Sequence, residues 1–395
     1  MEFSPKHMKD SLTWNRMWNR YNQATMKRIL CLCRKDIKHI RHGGAEVVMH
    51  QYLKGLVALW YEVTQISTNS GQNPHEEIID GVHIVRLWTI HSIYFLFPRY
   101  YLRYLQGKYD LIIDHAGGIP LLAPWYAHKI PIIFLVHHVG TKERSEYFIQ
   151  WIGMWWIGDC FRYIYNHFVL LSYRLYPTIT VSEWTAHELR VLWFTQVYVL
   201  KNTTDRDINT QYQKTKKHRL LMIGRVVPNK QIDHGLRIIH QLQWQGYDYH
   251  LDIVGNTQDN IEYQKLQGLI HQLSIQDHIH FHGKIDHDHL IALMQDTQYL
   301  LLTSDKEWFG VVVLEANTQR IPALWYDIPG INEAICDGQN GILFTKNDYQ
   351  SIASYIIHHQ SDYQVLQNQT LSYIASYPRR SHNIDKLYTI IEAVI

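Results

Sequence analysis

Residues 28–67, RILCLCRKDIKHIRHGGAEVVMHQYLKGLVALWYEVTQIS, decide the fold class, because two strand patterns enclose one helix pattern. The short apolar runs at 28–33 and 61–67 are typical of strands. The segment from about Ala45 to Trp60 between them predicts a helix. A strand, a helix and a second strand in this order predict a βαβ unit, whose two strands are parallel.

The same alternation continues through the rest of the chain. Further strands are predicted at 82–88, 110–116, 131–138 and 178–182. After a polar run at 202–218, strand patterns start again at 220–224, 251–255, 279–283, 299–304 and 321–327. Alternation of this kind is typical of doubly wound parallel sheets. We therefore expect an α/β protein with two Rossmann-like domains facing each other across a deep cleft, where such folds bind ligands.

The polar run 202–218 sets the domain boundaries. Residues 1–25 are polar and lack the apolar core of a signal peptide, so we predict an accessory extension. The first domain is then predicted at 26–205 and the second at 206–375, with a final helix at 376–395.

Composition excludes one class of partner and indicates a compartment. The 38 Lys and Arg against 36 Asp and Glu give a formal charge of +2, which argues against a protein that holds nucleic acid by neutralising phosphates. The four cysteines follow no disulfide or zinc spacing. We therefore expect a reduced, cytoplasmic protein that binds no nucleic acid.

The most apolar segment lies at 147–176 and contains several tryptophans. Charged and polar residues, among them Asp159 and Arg162, interrupt it and argue against a membrane span. Two interpretations remain. The segment forms helices of a domain core, or it forms an aromatic surface that contacts the membrane peripherally.

The segment EWFGVVVLE at 307–315 is the strongest indication of a binding site. Gly310 lies in a predicted turn before a helix, and the N–H groups at a helix start favour an anion such as a diphosphate. Glu307 precedes that helix and Glu315 lies about two turns along it, so the carboxylates reach different parts of one extended ligand. Taken alone, the two glutamates are better interpreted as a carboxylate at a helix start and a solvated residue on a helix.

Two other turns add groups suited to a phosphate. Arg225 and Lys230 follow the strand that ends at Gly224, and a guanidinium with an ammonium is the pair expected around a pyrophosphate. Gly43 and Gly44 open the first helix, where adjacent glycines permit close approach of a ligand to the backbone. The alternatives are a solvated loop in the first case and a tight turn in the second.

Together these motifs resemble the retaining glycosyltransferases of family 4, which have the GT-B fold of two Rossmann-like domains. The resemblance covers about residue 27 to the end of the chain. It depends on the order of seven motifs: GGAE at 43–46, SEWTAHEL at 182–189, GRVVPNK at 224–230, LDIVGN at 251–256, FHGKI at 281–285, EWFGVVVLEA at 307–316 and PGINEAICDGQNGILF at 329–344.

The resemblance implies roles for individual residues. Glu315 is implied to bind the ribose of the nucleotide, and Glu307 to meet hydroxyls of the donor sugar with a catalytic role. His137, at the end of the strand 131–138, matches the active-site histidine near the transferred sugar. The remaining donor-binding residues implied are Arg225 and Lys230 at the diphosphate, Lys284 and Ile285 near the base, Gly43 and Gly44 near the phosphate and acceptor, and Phe309, Gly310 and Val311 around sugar and phosphate through their backbone.

The activity implied is transfer of a sugar from a nucleotide-diphosphate donor to a saccharide or lipid-linked acceptor. We expect it in cell-envelope or polysaccharide biosynthesis, in the cytoplasm or at the inner face of the cell membrane. The resemblance implies retention of the anomeric configuration and no required metal or cofactor. It also implies that the final helix returns to the first domain. The alternatives are a nucleotide-sugar epimerase and a scaffold that binds nucleotide without transfer.

Four departures from the family pattern motivate the scaffold alternative. Trp308, Gln231, Thr203 and Arg320 stand where glycine is common. Each needs either a backbone with negative φ or strain of about 1–2 kcal/mol.

The histidine-rich stretch at 278–289 raises a metal hypothesis. We predict no metal site there, because the strand pattern accounts for the segment as part of the nucleotide-side domain.

Overall fold

A computed structural model describes residues 26–40, 42–71, 73–89, 91–137, 139, 165–204, 207–209, 218–257, 260–305, 307, 309–328 and 331–395. The extension predicted at 1–25 lies outside these residues. The described chain divides into two compact units. Unit 1 comprises the described residues up to Lys201 together with Ser381–Ile395, and unit 2 comprises those of Asn202–Arg380. The domain boundaries therefore lie at 201/202 and 380/381, whereas the sequence predicts them at 205/206 and 375/376.

The described residues of unit 1 form eight strands, all in one sheet. These are β1 (Arg28–Cys33), β2 (Glu62–Ser67), β3 (Glu76–Ile79), β4 (Val82–Arg86), β5 (Leu111–Ala116), β6 (Ile132–Val136), β7 (Thr178–Thr180) and β8 (Val197–Val199). Six more strands in the described part of unit 2 form a second sheet. They are β9 (Arg219–Ile223), β10 (His250–Val254), β11 (Ile279–Gly283), β12 (Tyr299–Leu302), β13 (Ala323–Tyr326) and β14 (Gly341–Phe344).

Most of the helices lie between strands in the sequence, and the last three follow one another after β14. In chain order they are α1 (Gly44–Ala58), α2 (Ile93–Tyr100), α3 (Glu183–Val191), α4 (Ile232–Trp244), α5 (Asn260–Leu273), α6 (His287–Asp296), α7 (Val311–Thr318), α8 (Tyr349–His358), α9 (Tyr363–Ser376) and α10 (Arg380–Val394). A single-turn 3₁₀ helix at Pro228–Lys230 precedes α4, and another at Gln276–His278 precedes β11.

The sheet orders are those of doubly wound folds. In unit 1 the order is β3-β4-β2-β1-β5-β6-β7-β8, and in unit 2 it is β11-β10-β9-β12-β13-β14. All neighbouring pairs are parallel except β3 with β4. The central strands are almost entirely buried because helices cover both faces of a parallel sheet. In β1, Ile29, Cys31 and Cys33 enter one core cluster, and Leu30 and Leu32 enter the other.

The final helix α10 packs within unit 1. Leu387 and Ile391 are buried in the same cluster as residues of α1 and β1. Asn383 donates a side-chain hydrogen bond of 2.6 Å to the carbonyl oxygen of Lys201. Residues 381–395 therefore complete the core of the unit that the first 201 residues begin.

Candidate functional site

Two turns of unit 2 lie side by side because the strands before them, β9 and β12, are neighbours in the sheet. The hydroxyl oxygen of Thr303, after β12, lies 3.0 and 2.8 Å from the carbonyl oxygens of Lys230 and Gln231. The N–H of Asp305 donates a hydrogen bond of 3.1 Å to the carbonyl oxygen of Asn229. The turn that carries Arg225 and Lys230 and the turn that carries Glu307 therefore meet at the carboxyl edge of the sheet.

Lys230 and Glu307 form an ion pair between these turns. Their side chains are only 18% and 20% exposed, so the pair is largely shielded from water. Burial, with a smaller contribution from the positive charge of Arg225, lowers the pKa of Lys230 to about 8. A partly desolvated ammonium of this kind gains from any further negative charge placed beside it.

Gly310 is the N-cap residue directly before helix α7, and its backbone conformation suits glycine. Its φ is 73°, in the left-handed region. A Cβ at this position would lie 2.7 Å from ring atoms of Trp325, which is itself fully buried. The turn therefore needs glycine both for its backbone conformation and for the close approach of the Trp325 ring.

The residues around Gly310 differ in exposure. Phe309 is buried in the core of unit 2, so its backbone rather than its ring is available to a ligand. Val311 is half-buried and starts α7, whose first N–H groups point out of the helix end. Glu315 lies in the second turn and is half-buried, between the buried residues Leu314 and Ala316.

Two more glycines bring the turns after β9 and β10 together. A Cβ on Gly255 would lie 1.7 Å from the carbonyl oxygen of Gly224, so only glycine fits there. Lys284 and Ile285 follow β11 at the same edge of the sheet, two strands away from β9. Lys284 is exposed, and Ile285 packs against the core. Among the contacts of the described residues, neither joins the Lys230–Glu307 pair.

A second group of polar residues lies at the carboxyl edge of the unit 1 sheet, around His137. His137 follows β6, is 6% exposed, and its ring lies edge-on to that of His115 with centroids 5.0 Å apart. The Nε2 atom of His137 is buried without a hydrogen-bond partner among the described residues. Burial lowers the pKa of His137 to about 4, so the imidazole is neutral at pH 7.

The buried carboxylate of Glu46 holds the start of α1. It accepts a hydrogen bond of 2.7 Å from the N–H of Gly43 and forms a salt bridge of 2.9 Å with Lys35. Gly43 has an extended backbone with φ −141°, and a Cβ on Gly44 would meet nothing within 4 Å. Neither glycine is therefore required by the backbone or by packing within unit 1, and the space beside Gly44 is open.

Sequence reasoning missed three members of this group, Cys33, Lys35 and His115. The Sγ of Cys33 lies 3.0 Å from Nδ1 of His115, because β1 and β5 are neighbours. One sequence signal pointed to this group: Glu46 stands at the third position after Gly43, where an acceptor for the helix start is common, and Lys35 is its partner. The adjacent glycines Gly117 and Gly118 after β5 were a second sequence signal for a close approach. In the structure, a Cβ on Gly118 would lie 2.4 Å from the Arg34 guanidinium.

Two of the four replaced glycines occupy left-handed backbone. Gln231 has φ 44° and Arg320 has φ 63°. For residues with a Cβ this costs about 1–2 kcal/mol each. Thr203 is not among the described residues with positive φ, so its backbone avoids the problem. Trp308 lies outside the described residues.

The apolar segment 147–176 is described only from residue 165. Within the described part, Leu170 and Tyr173 are buried, whereas Phe168 and Leu175 are 58% and 78% exposed. The tryptophans on which the surface hypothesis depends lie outside the described residues. Among the helices that the structure describes, none combines the length and the apolar character that crossing a bilayer requires.

Two family models together match most of the chain. The model of Glycosyltransferase Family 4 matches residues 42–207, and that of Glycosyl transferases group 1 matches residues 204–372. The first match falls on unit 1 and contains Gly43, Gly44 and His137. The second falls on unit 2 and contains the two adjoining turns and α7.

Relatives and solved structures agree with these matches. An uncharacterised glycosyltransferase of Methanocaldococcus jannaschii is 24% identical over 339 residues, which cover 79% of this chain and 83% of that protein. With the first curated relatives, the chain matches about half of their length or less.

Two solved structures resemble the whole chain. The sucrose-phosphate synthase of Thermosynechococcus elongatus superposes with a TM-score of 0.72 at 16% identity, over 93% of this chain and 98% of that one. Anabaena HepE in complex with UDP-glucose superposes with a TM-score of 0.70 at 15% identity, over 93% and 99%. At such low identity the likeness concerns the fold, which is the predicted GT-B fold.

Proposed function

The chain belongs to the glycosyltransferases of family 4, and we propose that it transfers a sugar, with retention, from a nucleotide-diphosphate donor to a saccharide or lipid-linked acceptor. The observation that carries the proposal is the meeting of two turns in unit 2. They place the Lys230–Glu307 pair, Arg225 and the start of α7 at one edge of the sheet. Anabaena HepE, solved with UDP-glucose, makes uridine donors the first to test.

Binding of the donor begins with the diphosphate. Its negative charge competes with Glu307 for the ammonium of Lys230, whose burial makes an added anion favourable. The guanidinium of Arg225 and the N–H groups at the start of α7 supply further donors. Glu307, released from Lys230, then accepts hydrogen bonds from hydroxyls of the donor sugar. Glu315, in the second turn of α7, binds the ribose.

The same groups promote departure of the nucleoside diphosphate. As the bond between the anomeric carbon and the phosphate oxygen breaks, negative charge develops on that oxygen, and Lys230, Arg225 and the helix start stabilise it. The acceptor oxygen bonds to the anomeric carbon on the same face, and its proton passes to the departing phosphate oxygen. These cations fill the role that a metal fills in other transferases, so we propose that no metal or cofactor is required.

In unit 1 we assign His137 to the sugar and the open glycines to the acceptor side. A histidine with its pKa near 4 is neutral at pH 7, so it acts as a hydrogen-bonding group and is a poor base. The open space beside Gly44 admits a ligand to the backbone at the start of α1. We further propose that the reaction takes place in the cytoplasm and supplies a cell-envelope or polysaccharide pathway.

The proposal is tested by release of nucleotide from a panel of UDP-, GDP- and ADP-sugars, with and without a saccharide acceptor. One donor should yield its nucleoside diphosphate and a glycosylated acceptor. Glu315→Ala should weaken nucleotide binding, and Glu307→Ala should reduce transfer with less loss of nucleotide affinity. The control Asp288→Ala, at an exposed position on α6, should behave as the wild type. Equal behaviour of all three variants would refute the site.

The strained Gln231 and Arg320 favour one competing function, a nucleotide-binding scaffold on the same fold. Tight nucleotide binding without release from any sugar of the panel would support the scaffold. Conversion of one nucleotide sugar into another without an acceptor would instead support an epimerase.

A further inference from the structure

We propose that Asp248, His250 and His278 form a site for one divalent transition metal of the zinc type. The site lies at the amino ends of β10 and β11, where Asp248 precedes β10 and His278 ends the 3₁₀ turn before β11. One side-chain ligand atom from each residue lies within 4.8 Å of the other two. Imidazole nitrogens with one carboxylate are ligands that zinc prefers.

Two of the three separations between ligand atoms fit a tetrahedral ion. The Oδ1 atom of Asp248 lies 3.6 Å from Nε2 of His250 and 3.4 Å from Nδ1 of His278. With bonds of about 2.0–2.1 Å to a tetrahedral zinc, two ligand atoms are separated by roughly 3.3–3.5 Å. The nitrogen atoms of His250 and His278 lie within 4.8 Å of each other, so an approach of the two rings encloses an ion, and water completes the fourth position.

The neighbours of His278 allow its ring to act as a ligand. Its Nδ1 lies 3.1 Å from the carbonyl oxygen of Tyr249, and its Nε2 lies 3.1 Å from Nε2 of Gln243. On metal binding, the single N–H proton of the neutral ring moves from Nδ1 to Nε2, and Nδ1 loses its contact with Tyr249. A flip of the Gln243 amide then presents its oxygen to that N–H, as an outer hydrogen bond that orients a ligand.

Three histidine rings lie close together at this site. The ring of His250 lies 5.1 Å from that of His278 and stacks on that of His280 at 5.6 Å. The carboxylate of Asp248 is exposed, so an ion can enter from solvent. From the sequence, a metal was considered only for the stretch 278–289, which contains His278, and no site was predicted there. Asp248 and His250 were not indicated, because they lie 30 and 28 residues before His278 and only the pairing of β10 with β11 brings the three together.

The site is separate from the donor-binding turns. Arg225 and Lys230 follow the carboxyl end of β9, whereas Asp248 and His278 lie before the amino ends of the neighbouring strands. A bound ion therefore links the segment after α4 to the turn before β11 and stabilises unit 2. It takes no part in the transfer reaction.

Zinc binding to the full chain tests the proposal, measured by competition with a chromogenic chelator and by thermal unfolding. The chain has 26 histidines, so the decisive quantity is a difference between variants. The double variant His250→Gln/His278→Gln should bind one zinc fewer than the wild type. The matched control His287→Gln/His289→Gln, on the exposed start of α6, should bind as many. Zinc at 100 times its dissociation constant should raise the melting temperature of wild type and control by about 5 °C or more.

Equal zinc stoichiometry in the double variant and the wild type would overturn the proposal. So would a melting temperature that zinc shifts equally in both. Because the double variant removes two partly buried rings, Asp248→Asn at an exposed position provides a second variant that preserves packing. It should lose the thermal shift, and retention of the full shift in Asp248→Asn would contradict the site.

Discussion

Replacement of Gly310 by alanine tests whether the turn before α7 is built around the Trp325 ring. The added Cβ meets two penalties. The left-handed backbone, with φ 73°, costs a residue with a side chain about 1–2 kcal/mol. The contact of 2.7 Å with the Trp325 ring forces repacking that costs about 1–3 kcal/mol. Alanine restricts the unfolded chain and returns about 0.4–1 kcal/mol. The net loss of stability for Gly310→Ala is therefore about 1–4.5 kcal/mol.

Gly338 provides a matched control for the backbone penalty. Its φ is 74°, and a Cβ there would meet nothing within 4 Å. Gly338→Ala should therefore cost only about 0–1.5 kcal/mol. Both variants are compared with the wild type by urea unfolding, followed through the transition of unit 2. The excess cost of Gly310→Ala over Gly338→Ala isolates the contact with the ring.

A double-mutant cycle assigns that excess to Trp325. Trp325→Phe removes the ring atoms nearest to the added Cβ, so Gly310→Ala should cost less in the Trp325→Phe background than in the wild type. Nucleotide binding should weaken in Gly310→Ala and stay unchanged in Gly338→Ala. Equal destabilisation by the two alanines, to within about 0.5 kcal/mol, would refute the reasoning, because it would show that the ring yields without cost.

Three further predictions concern strain and ionisation. Gln231→Gly relieves the strain of a left-handed backbone, but glycine also gives the unfolded chain more freedom. The balance should stabilise unit 2 by roughly 0.5–1 kcal/mol in the same urea assay. A loss of stability would contradict the strain. Nucleoside diphosphate affinity should change little up to about pH 7 and fall increasingly above it, approaching tenfold per pH unit above pH 8. The reason is that free Lys230 has a pKa of about 8 and the bound anion raises that pKa. Calorimetric titrations across pH 7–9.5 check this, and Lys230→Arg, whose guanidinium does not titrate there, should abolish the pH dependence. His137→Ala should lower the transfer rate. The pH–rate profile of the wild type should nevertheless show no step from His137 between pH 6 and 7, because burial lowers the pKa of this residue to about 4. A step in that range that His137→Ala removes would show that the residue acts as a base.

The sheet was predictable because buried parallel strands leave a simple sequence pattern. β6 is a continuous apolar run, and β1 and β5 are mostly apolar and almost entirely buried, since both of their faces are covered. Three strands were not predicted. β3, EEII, is an antiparallel edge strand with two glutamates, β8 has only three residues, and β14, GILF, follows a turn-rich motif. Short edge strands have little buried surface, and so their sequences carry little periodicity.

The sequence and its resemblance indicated single residues of the candidate site but not how they pair. Resemblance indicated both Lys230 and Glu307, yet assigned them to different parts of the donor. Their ion pair joins residues 77 positions apart and depends on β9 lying beside β12, which is a property of strand order. The group around His137 depends in the same way on β1, β5 and β6 being neighbours, so sequence alone did not connect Lys35 or His115 with it.

Nucleotide binding by the Arg225–Lys230 turn is the central claim, and isothermal titration of UDP, GDP and ADP tests it most directly. The wild type should bind one of the three at one site per chain. Lys230→Gln should weaken that binding at least tenfold at pH 7, and Lys265→Gln, an exposed lysine on α5 with a side chain 70% exposed, should leave it unchanged. Binding that is equally tight in Lys230→Gln and the wild type, or no binding of any of the three, would contradict the account.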